Sequence, residues 1–319
     1  MIASTDKNRE QLDEYRDKGF VPTGKGRQSV SKTLEYAYDD YCIARFAKML
    51  GKDDVAEKYF ARSQNWTNVF DASTGFMRGK NADGSWVTPF DPNRIDFDNY
   101  TEANAWQYTF FVPQNVSGLI QKFGGDEPFV TKLDELFDTT AKIPNYLPDV
   151  TGLIGMYSQG DEPCHNFAYL YSYAGQPWKT QARARQVANT LYTNTPAGLC
   201  GNDDCGQMSA WYVFTAMGFY PVDPVSGDYV LGSPLFDQIT LHLNPKFAKG
   251  KTFTVVAKNN SAKNLYIQSA TLNGQPLTRS WISNEEITAG GKLVLVMGPK
   301  PNKSFGSAAA DRPPTVSTH

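Results

Sequence analysis

The chain has 319 residues, and its 31 Lys and Arg residues against 33 Asp and Glu residues leave a formal net charge of −2. This near-neutral charge lacks the concentrated basic surface of nucleic-acid binders, and no apolar run reaches the roughly 20 residues that span a bilayer. With 40% hydrophobic and 13% aromatic residues, the composition excludes a disordered chain and favours a soluble globular protein. The polar start of the chain shows no signal peptide.

Helical spacing of apolar residues dominates the first two thirds of the chain. The first clear helix is predicted to begin near Ser29 or Ser31 and to end before Gly51. Further predicted helices cover residues 53–70, 101–123 with a break or kink at Pro113, 129–141, 165–174, 177–192 and 206–218. The repeated order of helix, short turn, helix and long loop predicts helical hairpins. Several helices are apolar nearly all round, as the inner helices of a helical toroid would be.

After Tyr220 the periodicity changes to two, which predicts strands. They cover residues 229–231, 238–243, 252–257, 265–272 and 292–297, with a hairpin turn at Asn273-Gly274. The expected organisation is mainly α: a helical part over residues 1–220, a small antiparallel β unit over 221–306 and a flexible tail over 307–319.

The counts of Cys and His limit the possible metal chemistry. Four cysteines are too few for a disulfide scaffold; Cys200 and Cys205 could form a bridge, and buried free thiols are the alternative. Only three histidines occur, so a metal would need oxygen ligands, which favours a hard cation such as calcium.

Polar clusters stand in the long loops ahead of apolar helices. The first contains Glu102, Asn104, Trp106 and Gln107, and helix capping alone explains only part of it. A carboxyl beside a tryptophan can stay protonated and act as a general acid.

Two later clusters carry further carboxyl groups. Residues 160–166 include Asp161, Glu162 and His165, and residues 200–212 include the adjacent Asp203 and Asp204 between glycines. Capping needs only one of these two aspartates. Glu102 with Asp203 or Asp204 would supply the acid and base that glycoside hydrolysis requires. Four tryptophans could form sugar platforms or belong to the core, namely Trp86, Trp106, Trp178 and Trp211.

Several long motifs, in order, resemble those of glycoside hydrolase family 92, the calcium-dependent inverting α-mannosidases. They are Ser29-Val-Ser-Lys-Thr-Leu-Glu-Tyr-Ala-Tyr-Asp-Asp, Tyr100-Thr-Glu-Ala-Asn-Ala-Trp-Gln-Tyr, Gly160-Asp-Glu-Pro-Cys-His, Tyr171-Ser-Tyr-Ala-Gly-Gln-Pro-Trp-Lys-Thr-Gln and Gly201-Asn-Asp-Asp-Cys-Gly-Gln-Met-Ser-Ala-Trp-Tyr. The resemblance implies a partial (α/α)6 toroid followed by β structure. Members of the family are roughly twice this length, so it also implies a C-terminal part that lacks the first helices and an N-terminal β-sandwich domain.

The resemblance also implies site residues. Glu102 would be the general acid and Asp204 the general base, with Asp203 as second choice. Asn104 and Glu162 would bind Ca²⁺. The expected substrate contacts are Trp86, Trp106, Glu162, His165 and Gln207.

The expected function is exo-acting hydrolysis of terminal α-linked mannose, of α-1,2 type, from mannan or N-glycans, by an enzyme secreted or periplasmic at full length. The alternatives are an inactive, truncated sugar-binding fragment and a related toroid hydrolase that acts on a mannosyl phosphodiester. Neither nucleic acid nor a membrane span is expected. Five Asn-x-Ser/Thr sequons would matter only in a eukaryotic secretory route, at Asn65, Asn99, Asn115, Asn259 and Asn302.

Overall fold

A computed structural model describes residues 2–24 and 26–315 of the chain, which leaves residues 316–319 of the predicted tail outside it. The chain forms two compact units, one of residues 1–123 and 132–164 and the other of residues 124–131 and 165–319. The helix Asp126–Asp138 contributes to both. The predicted boundary at residue 220 marks a change of secondary structure, whereas the compact units divide near residue 165.

The first unit is built around a helical hairpin. Helix Ser29–Met49 packs against helix Asp53–Arg62 through Ile43, Ala44 and Tyr59. Gly51 takes φ +68° between the two helices, and this conformation ends the first helix as predicted. The remaining elements of this unit are helices Ile2–Thr5, Leu12–Lys18, Ala105–Thr109 and Val116–Lys122, 3₁₀ helices Asn65–Val69, Pro113–Asn115 and Glu162–Cys164, and the paired strands β1 (Phe70–Asp71) with β2 (Phe76–Met77) and β3 (Leu153–Ile154) with β4 (Tyr157–Ser158).

Two helix predictions in this unit were wrong in extent. The segment 101–123 is broken into helix Ala105–Thr109, 3₁₀ helix Pro113–Asn115 and helix Val116–Lys122. Asn104 caps the first helix, and Pro113 lacks the N–H that a continuous helix would need. The segment 53–70 stops being α-helical at Arg62.

The second unit joins helices to a β unit. Helices Pro177–Leu191 and Gln207–Met217 confirm the predictions, the first beginning with proline and the second lying between the left-handed Gly206 and Gly218. The predicted helix 165–174 was wrong, because it is a 3₁₀ helix, Phe167–Ser172, whose side chains are all buried. Packing on every side, rather than helix propensity, decides this backbone.

The predicted strands are present but are not all antiparallel. The strands of this unit are β5 (Phe219–Tyr220), β6 (Asp228–Leu231), β7 (Gln238–His242), β8 (Thr252–Lys258), β9 (Tyr266–Leu272), β10 (Gln275–Leu277), β11 (Trp281–Ser283) and β12 (Gly291–Gly298). A five-stranded sheet has the order β10-β9-β12-β8-β7, and a three-stranded sheet the order β11-β6-β5. Strand β12 runs parallel to β8, so the prediction of a purely antiparallel unit was wrong.

Between β8 and its parallel partner β12 the chain passes through β9, β10, β11 and helix Asn284–Thr288, since parallel strands cannot be joined by a tight turn. Asn273 and Gly274, both at positive φ, form the predicted hairpin turn between β9 and β10. Beyond the sheet, Ala309–Asp311 forms a 3₁₀ helix, and Arg312 pairs with Asp126 at 2.9 Å. Helical hairpins and a β unit are therefore present, whereas a toroid arrangement of the helices stays a prediction.

Candidate active site

The loop before helix Ala105–Thr109 is fixed to the start of helix Ser29–Met49. That helix has no side-chain cap at Gln28; instead its first backbone N–H groups donate to the carbonyls of residues 97, 98 and 99 at 2.9–3.2 Å. Asn99, only 3% exposed, accepts hydrogen bonds on Oδ1 from Thr23 Oγ1 and Ser29 Oγ at 2.6 and 2.8 Å. The loop thus satisfies the orphan donors of a helix end, which holds it in place.

Glu102 stands at the end of this loop in an unusual conformation. Its φ is +51°, in the left-handed region that costs a non-glycine residue free energy. The preceding residue is anchored by its N–H, which donates to Ser31 Oγ at 3.0 Å. The Glu102 side chain is exposed, so its carboxyl group is available to a ligand. Backbone strain of this kind often accompanies a functional position.

Three further carboxylates interact with Glu102 or with each other in the same unit. Burial raises the pKa of Asp161 well above its ordinary value, and the charges of Glu162, Glu102 and Glu35 raise it further. Asp161 Oδ2 is buried, and no group in the described part of the chain hydrogen-bonds it. Glu35 reaches the protein surface, yet the packed protein around its carboxyl group removes water and, together with the charge of Asp39, raises its pKa to about 7. This concentration of negative charge favours a ligand that offers protons, hydroxyl groups or positive charge.

Glu35 and Tyr108 also belong to this group, although no motif in the sequence indicated them. The buried Tyr108 hydroxyl interacts with Ser31 and Thr101, and burial with the charges of Asp161 and Glu35 keeps its pKa well above the ordinary value. The available signal was weak: Ser31 and Glu35 are four residues apart on one helix and so share a face.

Asn104 and Trp106, predicted for calcium and for sugar, have structural roles. Asn104 is fully buried and its Oδ1 accepts the Trp106 N–H at 3.0 Å as the helix cap, with Gln107 completing a capping box. Trp106 is 8% exposed and packs edge-on against Phe76 with ring centroids 4.7 Å apart. Trp86 is half-buried, with the Lys80 ammonium 4.4 Å from its ring centroid.

A cavity of about 590 Å³ within the first unit is lined in part by residues 96–100, the segment of the loop that precedes Glu102. Its wall combines apolar and charged side chains, including Phe90, Asp91, Arg94, Asp98 and Asn145. A volume of this order accommodates a small ligand.

In the second unit the adjacent residues Asp203 and Asp204 differ in the hydrogen bonds of their carboxylates. Asp203 Oδ1 accepts the Ser209 N–H at 3.0 Å and the Ser209 hydroxyl at 2.8 Å, so this carboxylate caps helix Gln207–Met217. Asp204 takes φ +45°, followed by Cys205 and Gly206 that are also left-handed. Its side chain is exposed and makes none of the hydrogen bonds found in the described part of the chain. Asp203 is therefore committed to the fold, and Asp204 is free to act on a ligand.

His165 and Gln207, both predicted to bind substrate, lie together in this unit. The Gln207 amide Nε2 is 3.1 Å from His165 Nδ1 and 3.3 Å from the Tyr220 hydroxyl. His165 is 1% exposed, and its backbone carbonyl accepts the indole N–H of Trp211 at 2.8 Å. Tyr220 is the member that sequence analysis missed, since an aromatic residue before Pro221 carries no functional signal. Trp211 belongs to the core, stacked on Tyr192.

The carboxylates of the first unit are donors of the kind that calcium prefers. Asp161 Oδ2, buried and not hydrogen-bonded by any of the described residues, is an atom that a cation would satisfy. Within residues 2–24 and 26–315, however, no three His, Cys, Asp or Glu side chains are grouped closely enough to hold a metal by themselves. A calcium ion would therefore need backbone, water or substrate oxygens as additional ligands.

Each unit thus carries an exposed carboxylate at a left-handed position, Glu102 in the first and Asp204 in the second. The model of the glycosyl hydrolase family 92 catalytic domain matches residues 2–299. The chain belongs to this family, and the resemblance of its motifs is confirmed.

Similar proteins, two of them with solved structures, are mannosidases or glycosidases. A GH92 α-mannosidase of Bacteroides thetaiotaomicron in complex with mannoimidazole is 42% identical, with a TM-score of 0.93 over 99% of this chain and 42% of that chain. A GH92 inverting mannosidase of that organism is 38% identical, with a TM-score of 0.86 over 98% and 44%. An uncharacterized secreted glycosidase of Arthroderma benhamiae is 35% identical over 94% of this chain and 39% of the relative. The chain thus spans about two fifths of their length.

Proposed function

We propose that the chain is the catalytic part of an exo-acting, inverting α-mannosidase that removes terminal α-1,2-linked mannose from mannan or N-glycans. The observation that carries the proposal is the pair Glu102 and Asp204. Both are carboxylates at strained, left-handed positions, both are exposed, and both follow anchored residues in loops that cap helices. Two solved relatives are an α-mannosidase and an inverting mannosidase, which supports the proposed substrate and mechanism.

In the proposed reaction Glu102 donates a proton to the glycosidic oxygen while Asp204 removes a proton from a water molecule. The water attacks the anomeric carbon from the face opposite the leaving sugar, so the configuration inverts. This mechanism requires the two carboxyl groups to stand roughly 6.5–9.5 Å apart in the working enzyme. Asp203, the second choice for the base, would position Asp204 by fixing the loop to Ser209.

His165, Gln207, Glu162 and Trp86 would bind the sugar, with Tyr220 supporting the Gln207 amide. Their N–H, carbonyl, carboxylate and indole groups match the hydroxyls and apolar faces of a pyranose.

Glu162 and the adjacent Asp161 would help to hold a calcium ion, whereas Asn104 has its Oδ1 engaged as a cap. A bound calcium would supply positive charge to the sugar hydroxyls. The described residues contain no helix long and apolar enough to cross a membrane. We propose secreted or periplasmic location for the full-length enzyme, on the basis of the secreted relative.

The test is hydrolysis of α-1,2-mannobiose and an aryl α-mannoside, with the anomer of the first product followed by NMR. β-Mannose should appear first, and Glu102→Gln and Asp204→Asn should each reduce turnover by about 10³-fold or more. Retention of configuration, or near-normal turnover in either variant, contradicts the proposal.

Because the chain spans about two fifths of the length of its relatives, the assay should also include the chain joined to a preceding β-sandwich domain. If the chain binds mannobiose without turnover, both alone and joined to the β-sandwich domain, it is a sugar-binding fragment. If it instead releases mannose from a mannosyl phosphodiester, it is the related toroid hydrolase.

A further inference from the structure

The chain carries five Asn-x-Ser/Thr sequons, and all of them lie in the part of the chain that the structure describes. An N-linked glycan is bulky and hydrated, and it replaces one hydrogen of the asparagine Nδ2. The chain is modified before it finishes folding, so a glycan on a residue that must be buried prevents the native fold. Folded, secreted protein should therefore carry glycans only where the native Asn side chain is open to solvent.

At two sequons the asparagine is buried, which excludes a glycan in the native fold. Asn99 is 3% exposed, and its Nδ2 donates to Asp96 at 2.6 Å. Asn115 is 4% exposed, with Nδ2 donating to Gln64 at 2.8 Å and Oδ1 capping a helix through the Gly118 N–H at 2.9 Å. A glycan at either position would displace packed groups.

At two more sequons the asparagine side chain is held by contacts that a glycan would disrupt. Asn65 is half-buried, hydrogen-bonds the fully buried Tyr15 hydroxyl and stands against Gly19. Asn302 is half-buried, and its Nδ2 donates to the Gln268 carbonyl at 2.8 Å. Its Oδ1 accepts both the N–H and the hydroxyl of Ser304, the third residue of its own sequon.

Asn259 differs from the other four. It directly follows β8, it is exposed, and its φ of +60° places it at a turn where asparagine is tolerated. Among the hydrogen bonds of the described residues, Asn259 takes part through its backbone carbonyl alone, which accepts from Asn264 Nδ2 at 2.8 Å. Ser261 accepts the N–H groups of Lys263 and Asn264, which keeps the turn compact without involving the Asn259 side chain.

We propose that Asn259 is the N-glycosylation site of this chain when it passes through a eukaryotic secretory pathway. The inference goes beyond the proposed hydrolase and depends only on secretion, which the fungal secreted relative supports. Its failure is distinguishable from failure of the proposed function, because the readout is glycan occupancy and not turnover.

The experiment is secretion of the chain from yeast, isolation of the folded fraction and peptide mapping after an amidase has converted each glycosylated Asn to Asp. Conversion is expected at Asn259 and at none of the other four sequons. Asn259→Asp, which tolerates the same backbone conformation, should abolish the mobility shift on deglycosylation, and the matched variant Ser261→Thr should keep it. If Asn259→Asp is not secreted, Ser261→Ala removes the sequon independently. An unmodified Asn259, or a glycan at any other sequon in folded protein, overturns the proposal.

Discussion

Asp203 and Asp204 are neighbours in the chain, yet the structure predicts opposite effects of substituting them. Asp203→Ala removes the acceptor of two hydrogen bonds from Ser209, so it should lower the free energy of unfolding by about 1 kcal/mol. Asp204→Asn removes only an exposed charge and keeps a residue that tolerates positive φ. It should leave the thermal midpoint unchanged while turnover is lost. Thermal unfolding and mannobiose hydrolysis, measured on both variants, separate the two roles.

The control for this pair is Asp203→Asn, which retains an acceptor oxygen for Ser209. It should recover part of the stability lost in Asp203→Ala and keep measurable turnover. If Asp203→Asn were the inactive variant and Asp204→Asn the active one, the two aspartates would have to exchange roles.

Glu35 makes stability depend on pH in a defined direction. Its pKa of about 7 in the folded chain, against an ordinary 4.5, means that the folded state binds the proton more tightly than the unfolded state. Ionisation of Glu35 therefore lowers stability as pH rises from 4.5 to 7. Glu35→Gln should match the wild type below pH 4.5 and have a higher thermal midpoint above pH 7, with chelator present throughout. Glu57→Gln, at an exposed position of helix Asp53–Arg62, is the matched control; an equal gain there would contradict the prediction.

In the first unit, Asn99 joins the loop before helix Ala105–Thr109 to the start of helix Ser29–Met49. Asn99→Ala removes the acceptor of the buried Ser29 hydroxyl and of the half-buried Thr23 hydroxyl. It also removes the donor to Asp96 Oδ2, so it should destabilise the chain by about 1–3 kcal/mol. It should also lower kcat more than it raises KM, because Glu102 follows in the same loop. Asn81→Ala, which removes one exposed hydrogen bond to Ser85, should have little effect on either quantity.

Strand β12 forms the centre of the five-stranded sheet, between β9 and β8. Leu295 is fully buried in the hydrophobic cluster of this unit, so Leu295→Ala should cost about 2–5 kcal/mol in denaturant unfolding. Val296→Ala, on the opposite and only half-buried face of the strand, should cost clearly less. Equal losses would mean that the two faces of β12 are similarly packed.

Helix ends and turns that require a particular residue type, such as proline, glycine or asparagine, were predicted correctly from the sequence. Pro177, Gly51, Gly206 and Gly218 each mark an observed helix end, and Asn273-Gly274 the observed hairpin. What the sequence could not predict depends on tertiary contacts. The parallel pairing of β12 with β8 and the 3₁₀ backbone of Phe167–Ser172 both arise from packing between distant segments, which propensity and periodicity do not encode.

The same distinction applies to the candidate site. Motif spacing indicated Glu102, Asp203 and Asp204 but left the choice between the aspartates open; the Ser209 contacts now support Asp204 as the free carboxylate. Trp106 packs on Phe76 and Asn104 caps a helix, and their roles in binding sugar and calcium stay predictions. Glu35 enters the acidic group only because the chain folds residues far apart in sequence onto one another.

At the scale of the whole molecule, the excess of carboxylates in the first unit predicts a dependence on a divalent cation. Asp161, Glu162, Glu102 and Glu35 repel one another, and a bound calcium ion would offset this repulsion. Calcium should therefore raise the thermal midpoint by an amount that grows with its concentration, as expected for a ligand that binds only the folded state. Chelation should abolish turnover, and added calcium should restore it.

Magnesium provides the discriminating control, since it demands a tighter octahedral set of ligands and releases its waters reluctantly. An irregular set of carboxylate, backbone and substrate oxygens should accept calcium and discriminate against magnesium. Glu162→Gln should weaken the calcium-dependent rise of the midpoint, whereas Glu57→Gln should leave it unchanged. An enzyme whose midpoint and turnover are both indifferent to chelator would show that the acidic group acts on the sugar directly, without a metal.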